Sequence, residues 1–215
     1  MTIGHFMNRK EIEKHLKREE ILHTALKLYQ EKGANFSIQE LVDRVGIAKG
    51  SFYLLFPDKA ALIQAMILQA IDVIDKLFQE RMAMARTGLE RLLEMGRAYI
   101  QLFTDYPDEF ALIGAFHFFK PGLGWAETIE SPLGERLGQF KTLLMNQIIT
   151  GQQDGSIRKD IDPALSSLLV SQVVKTFMES LAQAEKQASI KALSGYEAHQ
   201  LIQGLYELLV RAFQA

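Results

Sequence analysis

The sequence lacks the features that would place it among secreted, membrane or disulfide-stabilised proteins. It contains no cysteine, so it has neither a disulfide framework nor a thiolate-bound zinc site. No apolar run approaches the roughly 20 residues that a transmembrane helix needs. The first 15 residues, MTIGHFMNRKEIEKH, lack the apolar core of a signal peptide. We therefore expect a cytoplasmic protein that does not enter a membrane.

Recognisable enzyme motifs are also missing. The segment Gly122-Leu123-Gly124 has no third glycine and no strand before it, so it is not a phosphate-binding loop. No G-x-S-x-G nucleophile elbow occurs. The five histidines, at positions 5, 15, 23, 117 and 199, share no metal-ligand spacing with carboxylates. We expect neither catalysis nor a metal or cofactor, and a helical enzyme without a motif is the enzymatic alternative.

Charge is nearly balanced over the 215 residues but is unevenly distributed. The net charge is -2, and 48% of the residues are hydrophobic, which is enough for a packed core. Residues 1–59 contain 10 Lys/Arg and 8 Asp/Glu, whereas the remainder contains 14 and 18. A mildly basic N-terminal part on an acidic body can orient a protein on DNA, although so small an asymmetry also arises by chance.

Apolar residues recur with helical periodicity along most of the chain, which predicts an all-α fold. Nine helices are expected, near residues 17–32, 38–45, 48–55, 58–85, 87–106, 107–119, 132–153, 163–186 and 194–213. The first three predict an N-terminal helix-turn-helix domain over residues 1–57. The others predict a larger helical body for ligand binding and dimerisation over residues 58–215.

The stretch SIQELVDRVGIAKGSFYLLFPDK, residues 37–59, has the pattern of two short helices joined by a tight turn. Ser37 is a suitable N-cap, and Gly46 suits the positive φ of a helix end. The first helix buries one apolar stripe of Ile38, Leu41, Val42 and Val45. The second is expected to begin at Ala48 and to bury Ala48, Phe52 and Leu55. The remaining residues of the second helix would then face solvent.

The exposed face of this second helix has the chemistry of a DNA-binding surface. Lysine and hydroxyl side chains contact phosphates and base edges, and glycine allows close backbone approach. The predicted contacts are Lys49, Gly50, Ser51, Tyr53 and Leu54, with Ser37, Gln39 and Lys59 beside them and Lys17 and Arg18 on the preceding helix. The alternative is an ordinary solvated hairpin, with Lys17 and Arg18 in ion pairs along their own helix.

The segment VGIAKGSFYLLFPDKAAL resembles the DNA-binding segment of the tetracycline-repressor (TetR)-like transcriptional regulators. The positions that fit the family pattern in register are Gly46, Gly50, Ser51, Phe52, Tyr53, Phe56 and Lys59. Leu55 departs from it, because the family usually has Tyr or His there. The resemblance covers roughly residues 15–63 and implies a ligand-responsive repressor that holds an inducer in its helical body.

Aromatic and methionine residues of the body predict a pocket for a small, largely apolar effector, or else a plain core. The predicted lining is Met66, Phe103, Phe110, Phe116, His117, Trp125, Met145 and Phe177. The last two helices are apolar over so wide an arc that they must bury two sides. A homodimer interface is therefore expected at Leu169, Val173, Phe177, Leu201, Leu205, Leu208 and Ala212.

Two functions fit these patterns. The first is a homodimeric regulator that binds double-stranded operator DNA and is released when the effector shifts the helix over residues 58–85. The second is a helical small-molecule-binding protein with no DNA role, in which the hairpin is only structural. The distinguishing feature is whether the hydroxyl of Tyr53 and its neighbours face solvent.

Overall fold

The computed structural model describes residues 8–119, 132–182, 188, 190–192 and 194–215, without the side chains of residues 115–119 and 137. Its elements are α1 Arg9–Lys32, a 3-10 turn Gly33–Asn35, α2 Ile38–Val45, α3 Lys49–Tyr53, α4 Lys59–Met82, α5 Gly88–Asp105, α6 Pro107–Phe119, α7 Pro132–Asp154, α8 Pro163–Leu181 and α9 Ala198–Phe213. These described residues contain no strand beyond an isolated bridge between Ile157 and Gln214. The all-α prediction is confirmed.

The chain divides into two compact units, Met1–Met66 and Ile67–Ala215. This division falls inside α4, whereas the predicted boundary lies between residues 57 and 58. Within the described chain, none of the helices is both long and apolar enough to cross a bilayer.

Unit 1 is built around an aromatic and aliphatic core. Its most deeply buried side chains come from α1, α2, α3 and α4 and from the segments between them: Ile21, Leu22, Ala25, Leu28, Phe36, Leu41, Val42, Phe52, Phe56, Leu62, Ile63 and Met66. Burial also raises the pKa of Tyr29 to about 12. The stripe of α2 therefore packs as the periodicity predicts, with Leu41 and Val42 as its buried centre.

Capping explains where the helix boundaries differ from those expected. The first helix begins at Arg9 rather than near Lys17, because Asn8 Oδ1 accepts the Glu11 amide at 3.0 Å and Glu11 Oε2 accepts the Asn8 amide at 2.8 Å. This capping box holds a turn that has no buried apolar residue. Similarly, a capping box at Glu197 and Gln200 starts α9 at Ala198 rather than near Ser194.

Unit 2 has one continuous core in which α5 is central. Rings of α4, α5, α7 and α9 meet there: Tyr99 lies edge-on to Phe78 at a centroid distance of 5.4 Å and to Phe140 at 6.2 Å, and it stacks on Tyr206 at 5.9 Å. Burial raises the pKa of Tyr206 far above that of an exposed phenol. The contact between Tyr99 and Tyr206 joins residues that lie 107 positions apart in the sequence.

Candidate DNA-binding surface and effector cavity

The start of α2 is fixed by its own residues and by α1. Ser37 Oγ accepts the Glu40 amide at 3.1 Å, and Glu40 Oε2 accepts the Ser37 amide at 2.8 Å. The Glu40 carboxylate also pairs with the Lys32 ammonium. Hydrogen bonds from Lys32 and then from Ser37 hold the pKa of Glu40 at about 2. Ser37 is thus a true N-cap, as predicted, with its hydroxyl on the surface.

A second ion pair joins α1 and α2. The two guanidinium nitrogens of Arg44 donate to the two carboxylate oxygens of Glu31 at 2.6 and 3.0 Å. The hydrogen bond from Arg44 lowers the pKa of Glu31. A bidentate pair restrains direction as well as distance, so it orients the hairpin on α1.

The turn between α2 and α3 requires glycine. Gly46 has φ 76° and ψ 36°, in the left-handed region. The amides of Gly46 and Ile47 both donate to the Val42 carbonyl, at 2.9 and 3.0 Å. This arrangement ends α2 and lets α3 begin three residues later.

Helix α3 shows the division of faces that a recognition helix needs. Phe52 is fully buried and lies near Phe56, with ring centroids 5.7 Å apart. Tyr53 is 45% exposed and Leu54 is 82% exposed. Lys49 and Gly50 are also exposed, whereas Ser51 is half-buried. The surface predicted for DNA contact therefore faces solvent.

Two expectations about the packing of α3 are wrong. Ala48 is the N-cap residue and is exposed, because the helix begins one residue later, at Lys49. Leu55 is only half-buried, and Phe56 fills the core position instead. The buried rings here are therefore Phe52 of α3 and Phe56, which follows the helix.

Gln39 is exposed near the start of α2, where its Nε2 donates to Asp43 Oδ1 at 2.8 Å. The carboxylate holds the amide in one orientation on the helix surface. Its Oε1 keeps an acceptor site, and the second Nε2 hydrogen keeps a donor site. The prediction that Gln39 reaches a base stays a prediction.

Lys59 has an internal role that the sequence did not indicate. Its ammonium donates to the carbonyls of Ala34 and Phe36 and lies 4.4 Å from the centre of the Phe36 ring. Desolvation by burial lowers the pKa of Lys59. The side chain thereby anchors the 3-10 turn that leads into Ser37, and two of its three donors are already used.

The two cations predicted on α1 lie in different surroundings. The Arg18 guanidinium lies over the Phe56 ring, 4.9 Å from its centre, and is half-buried. Lys17 is exposed. Arg18 thus packs against the residue that follows the recognition helix, while Lys17 faces solvent.

Unit 2 contains an apolar cavity of about 20 Å³. Its lining comes from α5, α7, α8 and α9: Leu92, Met95, Phe140, Leu144, Val170, Val174, Tyr206, Leu209, Val210 and Phe213. None of the predicted pocket residues whose side chains the structure describes lines it. The predicted lining used the clustering of aromatics along residues 99–125, whereas this cavity is assembled from helices distant in sequence.

The predicted pocket residues are distributed over both units. Met66 is buried in unit 1, and Phe103 lies edge-on to Phe110 at 5.0 Å in unit 2. Met145 and Phe177 are half-buried. Trp125 and the side chains of Phe116 and His117 lie outside the described part of the structure. A pocket at these residues stays a prediction.

The predicted dimer surface carries exposed apolar side chains. Leu169 is 56% exposed and Leu208 is 69% exposed, and Val173 and Ala212 are also exposed. Leu165 and Leu168, which the prediction did not include, are exposed on α8 as well. Phe177, Leu201 and Leu205 are half-buried.

These features define an all-helical protein with an N-terminal helix-turn-helix and a larger helical unit. Residues 21–66 match the family of bacterial regulatory proteins called the tetR family. This match includes the helix-turn-helix segment, so the resemblance inferred from the motif is confirmed for that segment.

Individual relatives agree with this assignment. An uncharacterised HTH-type transcriptional regulator, YuxN of Bacillus subtilis (strain 168), is 46% identical over 52 residues, which are 24% of this chain and only 18% of YuxN. The HTH-type transcriptional repressor KstR2 of Rhodococcus jostii (strain RHA1) is 27% identical over 158 residues, 70% of this chain and 72% of KstR2. The crystal structure of AibR with isovaleryl coenzyme A and operator DNA has the same fold, with a TM-score of 0.68 at 19% identity over 90% of this chain and 98% of AibR.

Proposed function

We propose that this protein is a homodimeric, ligand-responsive transcriptional repressor that binds double-stranded operator DNA in the cytoplasm and has no catalytic role. The observation that carries the proposal is the outward face of α3, where Lys49, Gly50, Tyr53 and Leu54 are exposed over a buried Phe52. A helix of this kind fits the major groove when the helix behind it holds it against the core. The TetR-family match of residues 21–66 and the repressor KstR2 support the same reading.

Each exposed group has a role that its chemistry suits. Lys49 and the hydroxyl of Ser37 bind phosphates, and Tyr53 donates its hydroxyl to a phosphate or a base edge. Leu54 contacts a thymine methyl, and Gln39 pairs with adenine. The recognition helix has no arginine, so it does not read guanine through a bidentate guanidinium.

Dimerisation explains the exposed apolar surface of α8 and α9. Leu165, Leu169 and Leu208 are each more than half exposed in the single chain. Pairing with a second copy would remove this surface from water, at roughly 25 cal/mol per Å². A two-fold dimer also presents two recognition helices to two half-sites one helical turn apart.

The effector is a small, largely apolar molecule that binds in the cavity of unit 2. A volume of about 20 Å³ holds roughly one water molecule, whereas ligand pockets measure roughly 300–1,000 Å³. The effector must therefore bind a second state in which the lining has moved apart. Such unequal binding to two states is what coupling to DNA affinity requires. AibR was crystallised with isovaleryl coenzyme A, which supports a branched acyl group as a first candidate.

Contacts between α4 and α7 provide a route by which a change in unit 2 affects α4. One terminal nitrogen of Arg136 on α7 donates to Asp72 Oδ1 and Asp75 Oδ2 on α4, at 2.6 Å each. Displacement of α7 from the cavity would pull on this pair. Because α4 begins at Lys59, within unit 1, a movement of α4 would also displace its first residues in the DNA-binding unit.

The test is a binding titration of the full-length protein with fluorescent DNA from around its own gene, against a random duplex. Wild type should prefer its own DNA by at least about 10³-fold, and a small ester of isovaleric acid, which presents the branched acyl group without the charged coenzyme, should weaken that binding. Lys49→Gln and Tyr53→Phe should lower affinity, whereas Lys141→Gln, on an exposed site of α7, should not. Equal, salt-abolished binding to both duplexes would instead favour a helical ligand-binding protein without a DNA role.

A further inference from the structure

The N-terminal half of α1 extends beyond the core of unit 1. Residues 8–17 are all exposed, whereas the buried residues of α1 begin at Ile21. The extension is nevertheless a capped helix, since Asn8 and Glu11 form a capping box and Arg9 pairs with Glu13 at 3.0 Å. It projects an ordered face rather than a frayed end.

That face is basic. Lys10, Lys14 and Lys17 lie at i, i+4 and i+7, and the same spacing continues into the buried residues Ile21, Ala25 and Leu28. The stripe that packs the core thus changes from apolar to lysine where the helix leaves the core. We call Lys10, Lys14 and Lys17 the lysine stripe.

Two acidic neighbours of the lysine stripe have other partners. Glu11 is engaged in the capping box and Glu13 pairs with Arg9. Among the described residues, none of the three lysines has an ion pair. Three unpaired cations at a spacing of one helical turn form a surface complementary to a row of phosphates.

The position of the stripe links it to the recognition helix. Arg18, the next residue along α1, lies over Phe56, and Phe56 lies near Phe52 of α3. The stripe therefore ends one residue before the arginine that packs on Phe56, a residue three positions after α3. At a rise of about 1.5 Å per residue, Lys10 lies about 12 Å beyond Arg18, which corresponds to three or four base pairs of duplex at most.

We propose that the lysine stripe is a second DNA-contact surface, which binds phosphates that flank the base pairs read by α3. The inference rests on the proposed function for its partner, but it adds contacts that carry no sequence information. Neutral contacts would leave the salt dependence of binding unchanged, whereas each lysine that binds a phosphate releases counterions. The stripe should therefore raise affinity for every duplex equally.

The test compares the triple variant Lys10→Gln/Lys14→Gln/Lys17→Gln with wild type between 50 and 200 mM salt, on operator and on random duplexes. Removal of three phosphate contacts per protomer should reduce the slope of log K against log salt by about 2.7 per protomer, or about 5 per dimer. The preference for the operator should stay unchanged. Lys27→Gln is the matched control, because Lys27 is exposed on α1 but lies about 110° round the helix from the stripe.

The outcomes separate this inference from the proposed function. A triple variant whose slope equals that of Lys27→Gln on both duplexes overturns the lysine stripe but leaves the repressor proposal standing. Equal affinity of wild type for the operator and the random duplex would overturn the repressor proposal. A slope on the random duplex that is smaller in the triple variant than in wild type would still support the stripe. Binding of wild type to phosphatidylserine vesicles that the triple variant loses, with the DNA slope unchanged, would assign the stripe to a lipid surface and overturn the inference.

Discussion

Replacement of Lys59 by methionine should distinguish an anchor from a phosphate ligand. The family resemblance and its place at the start of α4 suggest a phosphate contact, yet its ammonium donates to the carbonyls of Ala34 and Phe36. Methionine keeps most of the apolar stem over the Phe36 ring but has no donor. The variant therefore removes the two hydrogen bonds and leaves the packing nearly intact.

The expected cost follows from these two bonds. Hydrogen bonds that involve a charged group contribute roughly 1.5–3 kcal/mol each, and relief of the partial desolvation of the ammonium offsets part of the loss. We expect unit 1 to lose about 1–3 kcal/mol around the 3-10 turn. Amide hydrogens of residues 36–42 should then exchange roughly 5 to 150 times faster.

The decisive measurements are hydrogen exchange and the salt dependence of DNA binding, made on the same variant. If Lys59 is an anchor, affinity falls because Ser37 and Gln39 are less well held, but the slope of log K against log salt stays that of wild type. Lys49→Gln, the comparison, should lose about 0.9 in slope per protomer. Unchanged amide exchange with a slope reduced as in Lys49→Gln would refute the reasoning.

Three further predictions concern acid stability, the turn and the dimer. The pKa of Glu40 falls from 4.5 to about 2 in the fold, so its contribution to folding stability is complete above pH 4.5 and is lost as the pH falls towards 2. Glu40→Gln keeps the cap but not the charge pair with Lys32, so its stability, followed by circular dichroism, should fall less steeply with decreasing pH than that of wild type. Gly46→Ala should cost about 1–2 kcal/mol in urea unfolding, because the left-handed backbone is strained for alanine although a Cβ there meets no atom within 4 Å; a change below about 0.3 kcal/mol would contradict this. Leu169→Asp combined with Leu208→Asp should give a monomer in sedimentation velocity at unchanged helicity, and a mass equal to that of wild type would argue against this interface.

Local signals in the sequence were sufficient to predict the cap, the turn and the core of the helix-turn-helix. Ser37 as a cap, Gly46 as a left-handed turn and Phe52 as a core residue each follow from interactions within a few residues. The start of α1 was placed eight residues late, because the extension has lysines where periodicity analysis looks for apolar residues. The cap at Asn8 and Glu11 was the signal that could have found it.

The effector cavity could not be derived in the same way. Its lining depends on which helices meet, and helical periodicity gives the face of a helix but not its neighbour. Tyr99, Phe140 and Tyr206 lie in one cluster only because α5, α7 and α9 pack together. Similarly, the internal role of Lys59 depends on carbonyls 23 and 25 residues away.

The contact of α5 with α9 provides a test of how tightly the cavity wall is packed. A Cβ at Gly96 would lie 2.4 Å from Tyr206 Cγ, which is closer than such atoms approach, so Gly96→Ala must displace the ring. Overpacking of this kind costs about 1–3 kcal/mol. Tyr206→Ala removes Cγ and Cδ1, the two atoms nearest the added methyl, so the double variant should lose less stability in urea unfolding than the sum of the two single variants. We expect a coupling of at least about 1 kcal/mol, whereas effects that add within about 0.5 kcal/mol would mean that the ring does not press on α5 and that the cavity wall moves freely.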